Sequence, residues 1–327
     1  MQKQRGFIVG LIGILWTSWV AAIPVQHSLD VILQPGTAGI EVRDTVTLPQ
    51  GHPQSLTFSL HPALTPTLQG DNTRLVELAR QADGKQPAIQ ASAGIAPRRY
   101  RLDLAQGENT FTLHYKGNID HALQSRGEEY ARSFQETRGI ISPQGVFLSG
   151  ASLWYPYMDD TQVTFDLVVH LPEAWKSMSQ GKLLDSEPAA DSRPAEHWQA
   201  SNPQEEIYLI AGPFIAYSSV ARDVTAMVLL READAALAQK YLDATHEYIT
   251  LYDELIGPSP FGKFALVENF WETGYGMPSF PLLGPKVIRL PFILHSSYPH
   301  EILHNWWGNS VYIDYVSGTW AEGRTSY

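Results

Sequence analysis

The stretch Pro299-His300-Glu301-Ile302-Leu303-His304-Asn305-Trp306-Trp307-Gly308-Asn309 carries the pattern His-Glu-x-x-His, and every other part of the chain is placed relative to it. Residues four apart on an α-helix share a face, so the imidazoles of His300 and His304 project together and can close on one ion. Two histidines so spaced, with a glutamate after the first, point to zinc. Glu301 reaches that face only at its edge, which suits a general base acting on zinc-activated water better than a ligand. Pro299 fits the first turn of such a helix, where its missing N–H costs nothing. A plain amphipathic helix burying Ile302, Leu303 and Trp306 would satisfy the five-residue pattern equally well. What separates the two readings is a third ligand, because a catalytic zinc takes three protein ligands and keeps a fourth position open.

Glu322 is the candidate. Seventeen residues separate it from His304, enough for the helix to end near Gly308 or Asn309, a loop to turn at Ser317-Gly318-Thr319, and a second helix to begin. Thr319-Trp320-Ala321-Glu322 also reads as a capping box, in which Glu322 reaches back to the backbone and needs no metal. Asp314, the other acid in the interval, falls too close to the first helix for an easy return.

The run from His300 to Tyr327, with His-Glu-Ile-Leu-His-Asn-Trp-Trp-Gly-Asn and Trp-Ala-Glu-Gly-Arg-Thr-Ser-Tyr, resembles the zinc aminopeptidases of the gluzincin clan, the group of membrane alanyl aminopeptidase and leukotriene A-4 hydrolase. That resemblance implies one zinc ion held by His300, His304 and Glu322, with Glu301 as base and a peptide as substrate. The spacing to Glu322 is one residue shorter than is usual in the family, a deletion that a loop around Ser317 and Gly318 absorbs cheaply.

The chain has 327 residues and a net charge of −11, with no basic run beyond Arg98-Arg99-Tyr100-Arg101, so it lacks the electrostatic footprint of a nucleic-acid binder. It contains no cysteine, which excludes disulfides, thiolate metal sites and a cysteine nucleophile. Lys3 and Arg5, the apolar run Phe7 to Ala22 and the small residues Val20-Ala21-Ala22 read as a secretory signal cut after Ala22. The expectation is an exported protein, periplasmic or extracellular, with no stable membrane insertion after cleavage.

From about His27 to Phe214 the dominant signal is period two, the mark of half-buried strands. Ile40, Val42, Val46 and Leu48 show it, then Leu56, Phe58 and Leu60, then Phe111, Leu113 and Tyr115, and most clearly Val163 to Leu171. Pro35-Gly36, Gly107-Glu108-Asn109 and Lys116-Gly117-Asn118 read as turns between antiparallel strands. Two polar tracts, near Gln81 to Pro97 and Glu173 to Pro203, lack any period and read as loops. Trp154 to Asp160 and Ile207 to Phe214 resemble landmarks of the β-saddle domain of the family, although an aromatic run beside a strand is more often core packing. After Arg222 come a strand, Val224 to Leu230, and a helix from about Ala233 to Leu255 with a buried stripe of Leu237, Tyr241, Tyr248, Tyr252 and Leu255, stopped by Gly257-Pro258. Phe264 to Val267 and Val287 to Leu290 read as further short strands. The expected architecture is α+β: a signal peptide over 1–22, an antiparallel β-saddle domain over 23–220, and a thermolysin-like zinc peptidase domain over 221–327.

Two departures from the family stand out. Ahead of the zinc helix the family carries Gly-x-Met-Glu-Asn, an edge strand whose glutamate grips the substrate's amino group. The matching stretch here is Gly274-Tyr275-Gly276-Met277-Pro278-Ser279. Gly274, Tyr275, Gly276 and Met277 are therefore the substrate-binding candidates, but Pro278 offers no charge, which loosens the expectation of strict N-terminal cleavage. Glu268 or Glu272 could substitute, or either could be plain surface charge. The chain also stops five residues after Glu322, whereas the family's domain continues through a helical region that supplies a tyrosine for the developing oxyanion. On that resemblance the sequence reads as an incomplete, poorly active domain. The alternative to a peptidase is a non-catalytic peptide-binding or scaffold protein that retains a degenerate peptidase fold.

Overall fold

The structure is a computed structural model of the chain and describes residues 24–70, 73–79, 95–125, 134–184, 194–313, 318 and 320–326. The expected signal peptide, most of the first polar tract, part of the second, Asp314, Ser317, Thr319 and Tyr327 lie outside the described residues.

The strand Val163–His170 alternates buried and half-buried positions along its length, as period two requires. It sits inside a seven-stranded sheet, flanked by Ala195–Gln204 on one side and by Val25–Gln34 on the other. The first pairing is antiparallel; the second is parallel, from Val25 opposite Val163 to Ile32 opposite His170. The expected antiparallel unit is present, and the one parallel pairing in this sheet leaves no turn signal because a parallel partner needs no hairpin. Val25–Gln34 then pairs with Gly39–Thr47 through a short 3-10 turn at Pro35–Thr37, as Pro35-Gly36 predicts.

Lys116-Gly117-Asn118 is not a turn. It ends the strand Thr110–Asn118, where Gly117 pairs with Ile40. A Cβ at Gly117 would run into the Ala63 carbonyl, so the glycine serves a close approach of backbones. The second polar tract also departs from expectation, since Lys176–Met178, Lys182–Leu184 and Ala195–Gln204 are strands within it. Lateral pairing and a few inward side chains, Met178, Trp198 and Ala200, hold them there in place of any regular hydrophobic period. Trp154 and Tyr155 are core residues, with the Trp154 indole N–H on the Ile207 carbonyl at 3.1 Å.

A five-stranded sheet begins the second unit in the order Ile215–Ala221, Val224–Leu230, Lys263–Glu268, Phe280–Leu283, Gly274–Met277. Ile215–Ala221, which straddles the expected boundary at 220, pairs along its whole length with Val224–Leu230. Every residue of Lys263–Glu268 is buried, because both faces of this sheet are covered. Ala265, Val267 and Leu282 face the large core shared with the β unit, while Phe264, Leu266 and Leu283 join a second core beneath the helices.

Helix α1, Ala235–Leu255, starts at Asp234, whose carboxylate accepts the Leu237 N–H at 2.9 Å. Its buried stripe is Ala238, Tyr241, Leu242, Thr245 and Ile249. Leu237, Tyr248 and Tyr252 of the expected stripe pack at the edge of the second core, and Leu255 is exposed. Val287–Arg289 is a 3-10 turn and not a strand: Gly284-Pro285 and Pro291 bracket it too tightly for extension, and Ile288 is buried in the second core with Val287 packed at its edge.

Candidate metal centre and its cavity

Helix α2, Ser297–Leu303, presents two chemically opposite faces. Tyr298 and Ile302 are buried in the second core, with the Tyr298 hydroxyl 2.6 Å from that of Thr245 on α1. The turn that follows is pinned as well. Asn305 accepts the Ser279 N–H at 2.9 Å and donates to the Ile302 carbonyl at 2.7 Å, and the Trp306 indole donates to the Gly257 carbonyl at 3.1 Å. His300, Glu301 and His304 lie on the other face and line a cavity of about 480 Å³. The regular helix ends at Leu303, earlier than expected, with His304 in its last turn and Gly308 taking the positive φ of 110° that closes the segment.

Helix α3, Trp320–Thr325, brings Glu322 across, with Trp320 edge-on to Trp307 at 6.0 Å between ring centroids. His300 Nε2 and His304 Nε2 are 3.0 Å apart, and each lies 3.5 Å from one oxygen of Glu322. The ligand atoms of a tetrahedral zinc with bonds of about 2.0–2.1 Å sit roughly 3.3 Å from one another, a spacing these pairs approach, with His300 facing Oε2 of Glu322 and His304 facing Oε1. The tautomer agrees. His304 Nδ1 is 3.0 Å from the Trp307 carbonyl, which can only accept, so Nδ1 carries the hydrogen and Nε2 turns its lone pair inward. Burial and the neighbouring His304 lower the His300 pKa against the pull of Glu322, keeping that ring neutral as ligation requires. Among the described residues this is the one group of three such side chains close enough to share an ion. Glu322 thus faces the imidazoles; its capping-box partner Thr319 is not among the described residues.

Burial, and secondarily Glu322, pushes the Glu301 carboxyl up to about 7. Its Oε2 lies against Gly276, where any Cβ would collide with it. Gly274–Met277 is therefore the strand over the site, at the edge of its sheet, with Gly274, Gly276 and Pro278 lining the metal cavity. Tyr275, Gly276 and Met277 line an adjoining cavity of about 420 Å³.

Neither acid weighed as a substitute for the missing glutamate faces the site. Glu268 is buried, so it is no surface charge, and it accepts the Arg289 guanidinium at 2.6 Å and the Arg231 N–H at 2.8 Å. Glu272 accepts the Lys286 N–H at 3.2 Å. The sequence reading missed Glu205, Glu206 and Tyr208, which the β unit contributes to the cavity wall. The one signal was the acidic pair directly before the landmark Ile207 to Phe214.

With fold and site in view, the comparison with solved structures defines the class: this is the fold of the M1 zinc metallopeptidases. The M1 zinc metallopeptidase of Deinococcus radiodurans superposes with a TM-score of 0.62 at 14% identity, covering 89% of this chain and 66% of that one. Native yeast LTA4 hydrolase superposes with a TM-score of 0.61 at 14% identity, covering 88% of this chain and 44% of that one. A variant of the Deinococcus enzyme bound to a Tyr-Ser-Ala substrate gives 0.59 at 12% identity, with 89% and 66% covered. This chain therefore spans less than two thirds of the length of the neighbours it resembles. No protein-family model matches the sequence, and no curated protein does.

Proposed function

We propose that the protein is a zinc-dependent metallopeptidase of aminopeptidase type. The observation that carries the reading is the convergence of His300, His304 and both oxygens of Glu322, with the buried carboxyl of Glu301 beside them. A zinc ion held there would supply Lewis-acid polarisation of the scissile carbonyl and a lowered pKa for water. Glu301 accepts the proton of the attacking water on its carboxylate and passes it to the leaving amine; a pKa near neutrality allows both transfers. Gly274–Met277 lies at the edge of its sheet and lines the metal cavity, where an extended peptide would lie alongside it, in keeping with the peptide bound by the Deinococcus neighbour. Export is part of the same proposal, resting on the segment Met1 to Ala22, and amino-terminal sequencing of the mature protein should begin at Ile23.

The test separates ligands from base. Glu322→Ala is expected to lose zinc, read by atomic emission, whereas Glu301→Gln keeps zinc and loses peptide turnover. Unchanged zinc in the first variant, or unchanged turnover in the second, overturns the assignment.

A further inference from the structure

We infer that the protein carries a second small-molecule site, separate from the metal cavity, that takes a free amino acid with an apolar side chain. The site is a cavity of about 540 Å³ between the β unit and α1, larger than the metal cavity and sharing no lining residue with it. The strands Lys182–Leu184 and Ala195–Gln204 contribute one wall. Helix α1, the hairpin tip between Ala221 and Val224, and the loop 258–262 contribute the other. Its size is that of ordinary ligand sites, roughly 300–1,000 Å³. This inference does not depend on the peptidase reading.

Two residues of its lining carry buried acceptors that no donor meets. Gln204 is 1% exposed, and its amide nitrogen donates to the Asn202 carbonyl at 3.1 Å and the Pro203 carbonyl at 3.0 Å. Those two carbonyls fix which way the amide points, and its Oε1 is left without a partner among the described residues. Oδ1 of Asp253, on α1, is likewise buried and unpartnered. Their neighbours are engaged: His246 Nε2 lies 2.8 Å from the Ser219 hydroxyl, and Ser259 donates to the Phe261 carbonyl at 3.0 Å. Buried acceptors are almost always paired, so two orphans in one lining call for a donor from outside the chain. With a carboxylate among them, that donor is an ammonium. The lining also holds a cation. Lys182 reaches across the seam, its Cε 2.8 Å from where a Cβ on Gly262 would stand, and it has no acidic partner among the described residues. Arg222 shares the hairpin tip with Asp223, which balances its charge, so Lys182 is the group left for a ligand carboxylate. Ile249, Phe261 and Val224 are buried apolar residues of the same lining and suit an apolar side chain.

The zinc-loaded protein is titrated with L-leucine and with L-phenylalanine by calorimetry, and again after chelation of the zinc. Binding is expected in both states, because no proposed metal ligand lines this cavity. N-acetyl-leucine and leucine amide each lack one charged end, and each is expected to bind about tenfold to a hundredfold more weakly than leucine. Asp253→Asn keeps the shape of its side chain and Lys182→Met keeps the stem over Gly262. Both variants are expected to retain the melting temperature and the zinc, and to lose affinity for leucine by a similar factor. Asp253→Asn should no longer prefer leucine to N-acetyl-leucine, and Lys182→Met should no longer prefer it to leucine amide. Should Asp253→Asn fail to fold, Lys182→Met decides, since that side chain is exposed. No binding of either amino acid would mean that water alone satisfies the two acceptors, and would overturn the proposal. So would binding that vanishes on chelation from a protein still folded, which belongs to the metal centre, or an affinity for leucine that either folded variant leaves unchanged.

Discussion

His61 and His121 meet Nε2 to Nε2 at 2.8 Å, closer even than the 3.0 Å between His300 and His304, yet the two pairs are chemically opposite. His61 Nδ1 accepts the Ala63 N–H at 3.1 Å, so the ring's hydrogen sits on Nε2 and donates to His121. That pair is a hydrogen bond, whereas His304 keeps its hydrogen on Nδ1 and its Nε2 lone pair for a ligand. The metal pair was legible because four-residue spacing is a local property of a helix. The role of His61 and the place of Glu206 at the cavity were not, since the first depends on His121, distant in sequence, and the second on a wall from another unit. Burial, reinforced by His121, lowers the His61 pKa to about 4, against about 6.5 in an unfolded chain. Between those values the unfolded chain takes up a proton that the folded one declines, so stability falls as pH falls from 6.5 to 4, by at most about 3 kcal/mol. His61→Gln should flatten that decline in urea unfolding at pH 7 and pH 5. Equal declines in the variant and the parent would refute the assignment.

Gly276 and Gly117 each sit in a strand at a point where another group needs the space of a side chain. Gly117 looked like a turn because the Ala63 carbonyl that crowds it belongs to a different part of the chain. Gly274–Met277 could be recognised as an edge strand only through a family resemblance, four residues being too few to show a period. Val287 to Leu290 is equally short, so its apolar residues do not distinguish a strand from the turn that its flanking prolines favour. The edge strand makes its own prediction. Gly276→Ala places a methyl group against Glu301 Oε2, so the carboxyl must move while His300, His304 and Glu322 stay where α2 and α3 hold them. Zinc content should be unchanged and turnover should drop on the order of a hundredfold, the scale of a misplacement by about 1 Å. Loss of zinc in this variant would show that strand and metal centre are not separable.

At the scale of the molecule, the site exists because a sheet covered on both faces ties the β unit to the helices. Glu205, Glu206 and Tyr208 come to the metal cavity from one side of that seam and α2 and α3 from the other. The seam was not legible in the sequence: the apolar run Phe264 to Val267 within the strand Lys263–Glu268 announces burial on both faces, but not what covers them. Lys263 lies within it, 3% exposed, its ammonium donating to the Ser179 carbonyl at 2.8 Å and lying 5.2 Å from the Trp198 ring and 5.0 Å from the Phe280 ring. No carboxylate pairs with it among the described residues, and burial holds its pKa well below that of an ordinary lysine. An unfolded chain keeps that proton up to a pH of about 10.4. From the depressed folded value up to there, the unfolded state binds more protons, and stability rises with pH. Lys263→Met deletes the titrating group but retains the apolar stem between Trp198 and Phe280. It also gives up the bond to Ser179, a loss that does not vary with pH. The variant's stability relative to the parent should therefore be most favourable near neutral pH and shrink steadily toward pH 10, in denaturant unfolding at pH 7, 8.5 and 10. A difference that stays constant across those three values would mean that Lys263 keeps its charge in the seam, with the Ser179 carbonyl and the two rings sufficient to hold it.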